Sequence, residues 1–218
     1  MILLGALVSA CSELGGEPAL VQYPNHERAW DTIPTVAISA AANDPRVQTV
    51  LEAVEYWNTT LAGLGTTFRI GAVSRTDEIV PSEYLEKLSD ALLTGRPLPK
   101  PPEVLREIDA DLIVALSDGN FVSFSTAFRP GAKVLVGIRS DKRYPLNLSN
   151  VARNVIAHEL GHVIGLGHNN DRTKLMCGRP APCRPEEFRS SVARFFPLSE
   201  EEKTFLLKLY PASWRPAR

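Results

Sequence analysis

The chain has 218 residues, with 24 Lys and Arg against 25 Asp and Glu, for a formal net charge of −1; 44% of its residues are hydrophobic and 22% charged. This is ordinary globular composition, with apolar material for one core and length for one domain, or one domain with a small annex. The near-even balance of charge argues against nucleic acid as the main partner, because that needs a cationic surplus. No apolar run approaches the roughly 18 residues that span a bilayer.

In chain order, residues 1–10 carry no charged side chain and lead into Val8-Ser9-Ala10-Cys11. An apolar run ending in small residues predicts an export signal over 1–11, and Cys11 resembles the lipidated cysteine of a bacterial lipobox. A short apolar strand packed on the domain is the alternative. Residues 12–30 read as a tether. Residues 33–40 read as a strand. Asp44-Pro45 predicts an N-cap followed by Pro at the first helical position. Val47, Val50, Leu51, Val54, Trp57 and Leu61 then recur at helical spacing through residue 62.

A second strand is predicted over 67–73 and a short helix over 82–93. Four prolines between Thr94 and Glu103 stiffen a loop there. Three strands follow, over 111–117, Phe121–Phe128 and Lys133–Arg139, the last two joined through Arg129-Pro130-Gly131. A long helix starts near Ser149 or Asn150 and runs toward Gly165. Residues 169–197 lack periodicity and predict a long, ordered loop region. Ser199 with Glu202 three residues on forms a capping box for the last helix. This order predicts an α/β (α+β) chain with one mixed sheet.

The chemistry lies in the window His158-Glu159-Leu160-Gly161-His162-Val163-Ile164-Gly165-Leu166-Gly167-His168, which holds three of only four histidines. His158 and His162, four residues apart, stack on one helix face, so both imidazoles can reach one zinc. Glu159 is turned about 100° around the helix. It is no equivalent ligand, but it can reach a water beside the metal. Gly165 can take a positive φ, ending the helix so that His168 returns as a third ligand. Three neutral imidazoles leave a fourth position open, the arrangement of a catalytic site.

The extended motif resembles the metzincin zinc metallopeptidases. Lys174-Leu175-Met176-Cys177 is similar to their Met-turn, with Met176 as an apolar floor beneath the zinc. The resemblance is strongest to the matrixin branch, through Val54-Glu55-Tyr56-Trp57, Ala110-Asp111-Leu112-Ile113, Ala127-Phe128-Arg129-Pro130-Gly131 and Leu198-Ser199-Glu200-Glu201 leading to Leu209-Tyr210. It implies a zincin fold over about 31–211, with an upper subdomain over 31–165, a lower one over 166–211 ending in a helix, and a tail over 212–218.

The same resemblance implies one catalytic Zn2+ held by His158, His162 and His168, with Glu159 as general base and then acid in peptide-bond hydrolysis. Matrixins carry a second, histidine-rich zinc site; His26 is the one histidine left over, so no second site of that kind is expected. Calcium is compatible but not assignable. The substrate is expected to be a protein or peptide and the protein a monomer, exported to a bacterial cell envelope by a lipid anchor or secreted. Cys177 and Cys183 enclose a turn-rich loop and read either as a local disulfide or as two thiols. The competing class is a non-catalytic surface lipoprotein that keeps the zinc helix for structure, and hydrolysis of a non-peptide amide is a third reading.

Overall fold

The computed structural model describes residues 29–127 and 133–217. Cys11, the expected export segment, most of the tether, His26 and the turn at 129–131 lie outside the described residues. Five strands form one mixed sheet: β1 (Val36–Ser39), β2 (Val73–Thr76), β3 (Leu112–Leu116), β4 (Phe124–Ala127) and β5 (Val134–Ile138), in the order β2-β1-β3-β5-β4. All neighbours are parallel except β4, which pairs antiparallel with β5 at the sheet edge.

The helices are α1 (Arg46–Gly63), α2 (Ser82–Thr94), α3 (Val104–Glu107), α4 (Ser149–Val163) and α5 (Glu200–Leu209). Both faces of the sheet are covered, which is why β3 (LIVAL) and β5 (VLVGI) are continuously apolar rather than alternating. Leu112, Val114, Leu116, Val136 and Ile138 join Trp57 and Ile156 in one core, beneath α1 and α4. The intervening residues Ile113, Ala115 and Leu135 face Leu85 and Leu88 of α2 in a second core. The two-residue period of a strand thus divides the interior in two.

Two predicted elements differ in place and one element has no counterpart among those predicted. The second strand begins at Val73, where the expected strand ended. Phe68 and Ile70 are buried as an apolar strand would be, but the Asn58 amide of α1 satisfies Ile70 instead of a ladder partner. Its Oδ1 accepts from Ile70 N–H at 2.8 Å, and its Nδ2 donates to Ile70 C=O at 2.9 Å. The expected strand over Phe121–Phe128 is confined to Phe124–Ala127 within the described residues. A short helix, α3, follows the proline-rich loop, where none was predicted.

Helix α1 starts at Arg46 rather than at Pro45, and Asp44 Oδ1 accepts the Arg46 N–H at 2.9 Å. Buried Arg46 also grips the Asp44 carboxylate, while its Nη1 donates to the carbonyls of Ser117 and Arg139 at 2.9 and 2.8 Å. One guanidinium therefore ties the start of α1 to the ends of β3 and β5. The predicted capping box is present: Glu202 N–H reaches Ser199 Oγ, and Glu202 Oε2 accepts from Ser199 N–H.

The region after α4 is ordered without being regular. A 3-10 turn spans Pro185–Phe188, and two buried asparagines on α4 stitch the chain beyond it to the helix. Asn150 bonds Phe188 C=O and Arg194 N–H; Asn154 bonds Arg194 C=O and Phe196 N–H at 2.9 and 2.7 Å. Replacing Asn154 with Ala strands two backbone groups, each costing about 1–3 kcal/mol when left unsatisfied. The expected outcome is a loss of roughly 2–4 kcal/mol in urea unfolding; a loss below 0.5 kcal/mol would show that the stitching is redundant. Beyond α5, Tyr210 stacks on Phe68 with ring centroids 3.8 Å apart, and Trp214 Nε1 donates to Trp30 C=O at 3.1 Å.

Candidate metal centre

Helix α4 carries His158, Glu159 and His162 on its last two turns, all buried. It ends in a Schellman motif: Gly165 N–H bonds His162 C=O, Leu166 N–H bonds Gly161 C=O, and Gly165 has φ 103°. That turn brings His168 back over the helix. The Nε2 atoms of the three histidines then form a nearly equilateral triangle: His158 to His162 and to His168 at 3.1 Å, and His162 to His168 at 3.0 Å.

The other nitrogen of each ring settles its tautomer. Nδ1 lies 2.7 Å from the carbonyl oxygen of Leu175 for His158, of Leu166 for His162 and of Arg179 for His168. A carbonyl only accepts, so each Nδ1 carries the proton and each Nε2 presents a bare lone pair. Burial, assisted by His168 and opposed by the Leu175 carbonyl, pushes His158 down to about 3. His168 is lowered as well, again chiefly by burial. With each Nδ1 proton given to a carbonyl, three Nε2 atoms converge within about 3 Å of one another, an arrangement that repels unless a cation lies between them. An ion bonded at about 2.0–2.1 Å to each nitrogen fits this set, and three imidazoles suit zinc. Among the described residues, these three histidines are the cluster able to hold a metal.

The Met-turn is held against this cluster. Asn169 N–H bonds Met176 C=O at 2.8 Å and Gly178 N–H bonds Asn169 C=O at 3.2 Å, so the strip that accepts from His158 is tied to the residue after His168. Met176 is fully buried beneath α4, and a Cβ at Gly161 would stand 2.5 Å from its sulfur and 2.9 Å from Trp57. Trp57 Nε1 donates to Ala157 C=O at 2.8 Å, just before His158. Cys177 and Cys183 are joined as a disulfide, with Cα atoms 5.7 Å apart. The ring it closes contains Arg179, whose carbonyl holds His168.

Glu159 shares the wall of a cleft of about 310 Å3 with His158 and His168. Burial pushes its carboxyl up to about 8 from an ordinary 4.5. A larger concavity of about 680 Å3 lies at the C-terminal ends of β1 and β3, around Asp44 and Arg46. Its buried charges are spent on each other and on strand carbonyls, so it serves the fold.

The shifts of Glu159 and His158 make metal-free stability depend on pH. Between pH 4.5 and about 8 the folded protein holds a proton on Glu159 that the unfolded chain has released, so raising pH destabilises. His158 acts in the opposite sense between about 3 and 6.5, where the unfolded chain binds the extra proton. Of these two groups, Glu159 alone acts above pH 6.5. Stability in chelator should therefore fall by roughly 2 kcal/mol from pH 6.5 to 8, and Glu159→Gln should remove that fall. Denaturant unfolding at several pH values reads it; parallel profiles for both proteins would contradict the burial of Glu159.

Sequence reasoning anticipated the four side chains at 158, 159, 162 and 168; His158, Glu159 and His168 line one cleft, and buried His162 meets the other two histidines through its Nε2. That reasoning did not identify the three carbonyl acceptors, which have no sequence signature, or Asn150 and Asn154. The latter pair had a readable signal: two amides four residues apart, on one face of the helix that carries the histidines.

The matrixin peptidase family matches the chain over residues 40–191. No curated protein sequence matches it. Among solved structures, the chain is similar to archaemetzincin from Methanopyrus kandleri, at 18% identity and a TM-score of 0.44, over 82% of this chain and 96% of that one. It is also similar to myroilysin, at 12% identity and a TM-score of 0.43, over 87% of this chain and 88% of that one. The family match covers more than half of the chain, from the end of β1 through the three histidines and the disulfide loop: the chain belongs to the matrixins and is a zinc-dependent metallopeptidase.

Proposed function

We propose that the protein is an endopeptidase with zinc held by His158, His162 and His168 and with Glu159 as its general base and acid. The observation that carries this reading is the triangle of bare Nε2 atoms beside a buried glutamate in one cleft. Zinc in such a site lowers the pKa of a water from 15.7 to about 7 and polarises a carbonyl. Glu159 takes the proton of the attacking water and delivers it to the leaving amine nitrogen. Burial raises this carboxyl in the metal-free protein, and a cation beside it favours the carboxylate, the form that accepts a proton. Both histidines of the helix are buried and held through Nδ1 by main-chain carbonyls.

An internal peptide bond is the favoured target because β4 lies at the sheet edge, where an extended chain can add as a further strand. The Cys177–Cys183 disulfide supports action outside a reducing cytosol. Lipidation at Cys11 is part of the same proposal, and mass spectrometry of the membrane fraction tests it. The main test is cleavage of a mixed peptide pool by the purified protein, with loss in chelator and rescue by zinc. Internal cuts support the reading. Zinc binding without any cleavage would instead support the binding-module class.

A further inference from the structure

The cleft beside the histidines carries more positive than negative side chains. Arg139, Arg179 and Arg184 line it, against Glu159 and Glu186. Arg139 stands at the end of β5 and is only partly exposed, yet it makes no ion pair among the described residues. Its Nη2 donates to Tyr144 C=O at 2.8 Å, while Nε is buried and has no hydrogen-bond partner. Burial disfavours its charged form, and the Glu186 carboxylate across the cleft favours it, without coming within ion-pair distance.

The position is also rigid. Arg139 N–H donates to Ser123 Oγ at 3.3 Å, and its carbonyl accepts from the buried Arg46 at 2.8 Å. These bonds fix the main chain at Arg139, and the Nη2 bond to Tyr144 C=O orients the guanidinium, so less ordering is left to impose when an anion binds. The surrounding wall of Leu146, Val155 and Phe188 is apolar, which strengthens any charge pairing made there.

We propose that the cleft selects peptides with an acidic side chain beside the scissile bond, and that Arg139 is the specificity residue that binds that carboxylate. This deepens the peptidase reading and rests on it. Glu186 is the internal counter-charge that an acidic substrate has to overcome, so it limits the preference.

The test uses peptides that differ only in Glu, Gln, Leu or Lys at each position flanking the cut, compared by kcat/KM with the zinc-loaded protein. The Glu peptide is expected to be favoured over the Gln peptide by roughly 10- to 100-fold, mainly through KM. Arg139→Gln brings that ratio close to one, Arg139→Glu inverts it toward Lys, and Glu186→Gln raises it. A ratio near one in the parent protein, or one that survives Arg139→Gln, overturns the proposal. Should Arg139→Gln fail to fold, Glu186→Gln decides alone, and an unchanged ratio there overturns it. If no peptide is cut, the peptidase reading fails, and equilibrium binding of the Glu and Gln peptides to zinc-loaded protein decides the selectivity separately. Tighter binding of the Glu peptide that is lost in Arg139→Gln supports it, and equal binding overturns it.

Discussion

Replacing Glu159 with Gln should leave zinc stoichiometry intact and lower peptide hydrolysis by roughly 10²- to 10⁴-fold, the usual contribution of a positioned proton-transfer group. Gln has the same shape, so the packing of α4 is kept. Its amide cannot take the proton of the attacking water or return it to the amine. The loss should fall on kcat, with KM little changed, because the carboxylate acts on the reacting atoms and not on peptide binding. Metal content and single-turnover cleavage are the two measurements. A variant that retains zinc and the parental rate would remove Glu159 from the mechanism, and one that loses zinc would make it part of the metal set.

Replacing His168 with Ala should weaken zinc binding by well over 100-fold, since even outer-shell changes cost about 10- to 100-fold. His168 is the ligand with the fewest constraints. His158 and His162 are buried in α4, whereas His168 is placed by a turn, by Arg179 C=O and by close contact with Gly178. A Cβ at Gly178 would run into the His168 ring. Gly178→Val should therefore reduce zinc affinity with all three histidines present, by about 10- to 100-fold if it behaves as an outer-shell change. Competition with a chromophoric chelator reads both variants. Unchanged affinity in His168→Ala would leave a two-histidine site, which the three matched Nδ1–carbonyl bonds argue against.

How much of this was readable in advance follows from the range of each interaction. The i, i+4 histidines, the glycine that ends the helix and the Ser199–Glu202 box are local, and their spacing alone predicts their geometry. The strands β3 and β5 declare themselves because both faces are covered and every residue is apolar. The start of β2 was misplaced because a side chain from α1, Asn58, takes the hydrogen bonds of Ile70 across 12 residues of sequence. Arg139 stood out in no pattern. Its meaning depends on Arg46 fixing its carbonyl from 93 residues away and on the disulfide loop facing it across the cleft.

Each of the three histidine rings gives its Nδ1 proton to an oxygen of the main chain, at 175, 166 and 179. Any amino acid supplies such an oxygen. Leu166, Leu175 and Arg179 are therefore free to change letter without retuning the rings, provided their own packing is respected. What the centre does not tolerate is a change of count. Adding or deleting one residue between His168 and Arg179 would shift the register of the strip tied through Asn169 and carry two of the three oxygens away from their rings. At those three oxygens the site is thus insulated from substitution and exposed to insertion, so variation there should run through residue identity at constant loop length, with Gly178 held fixed by the His168 ring.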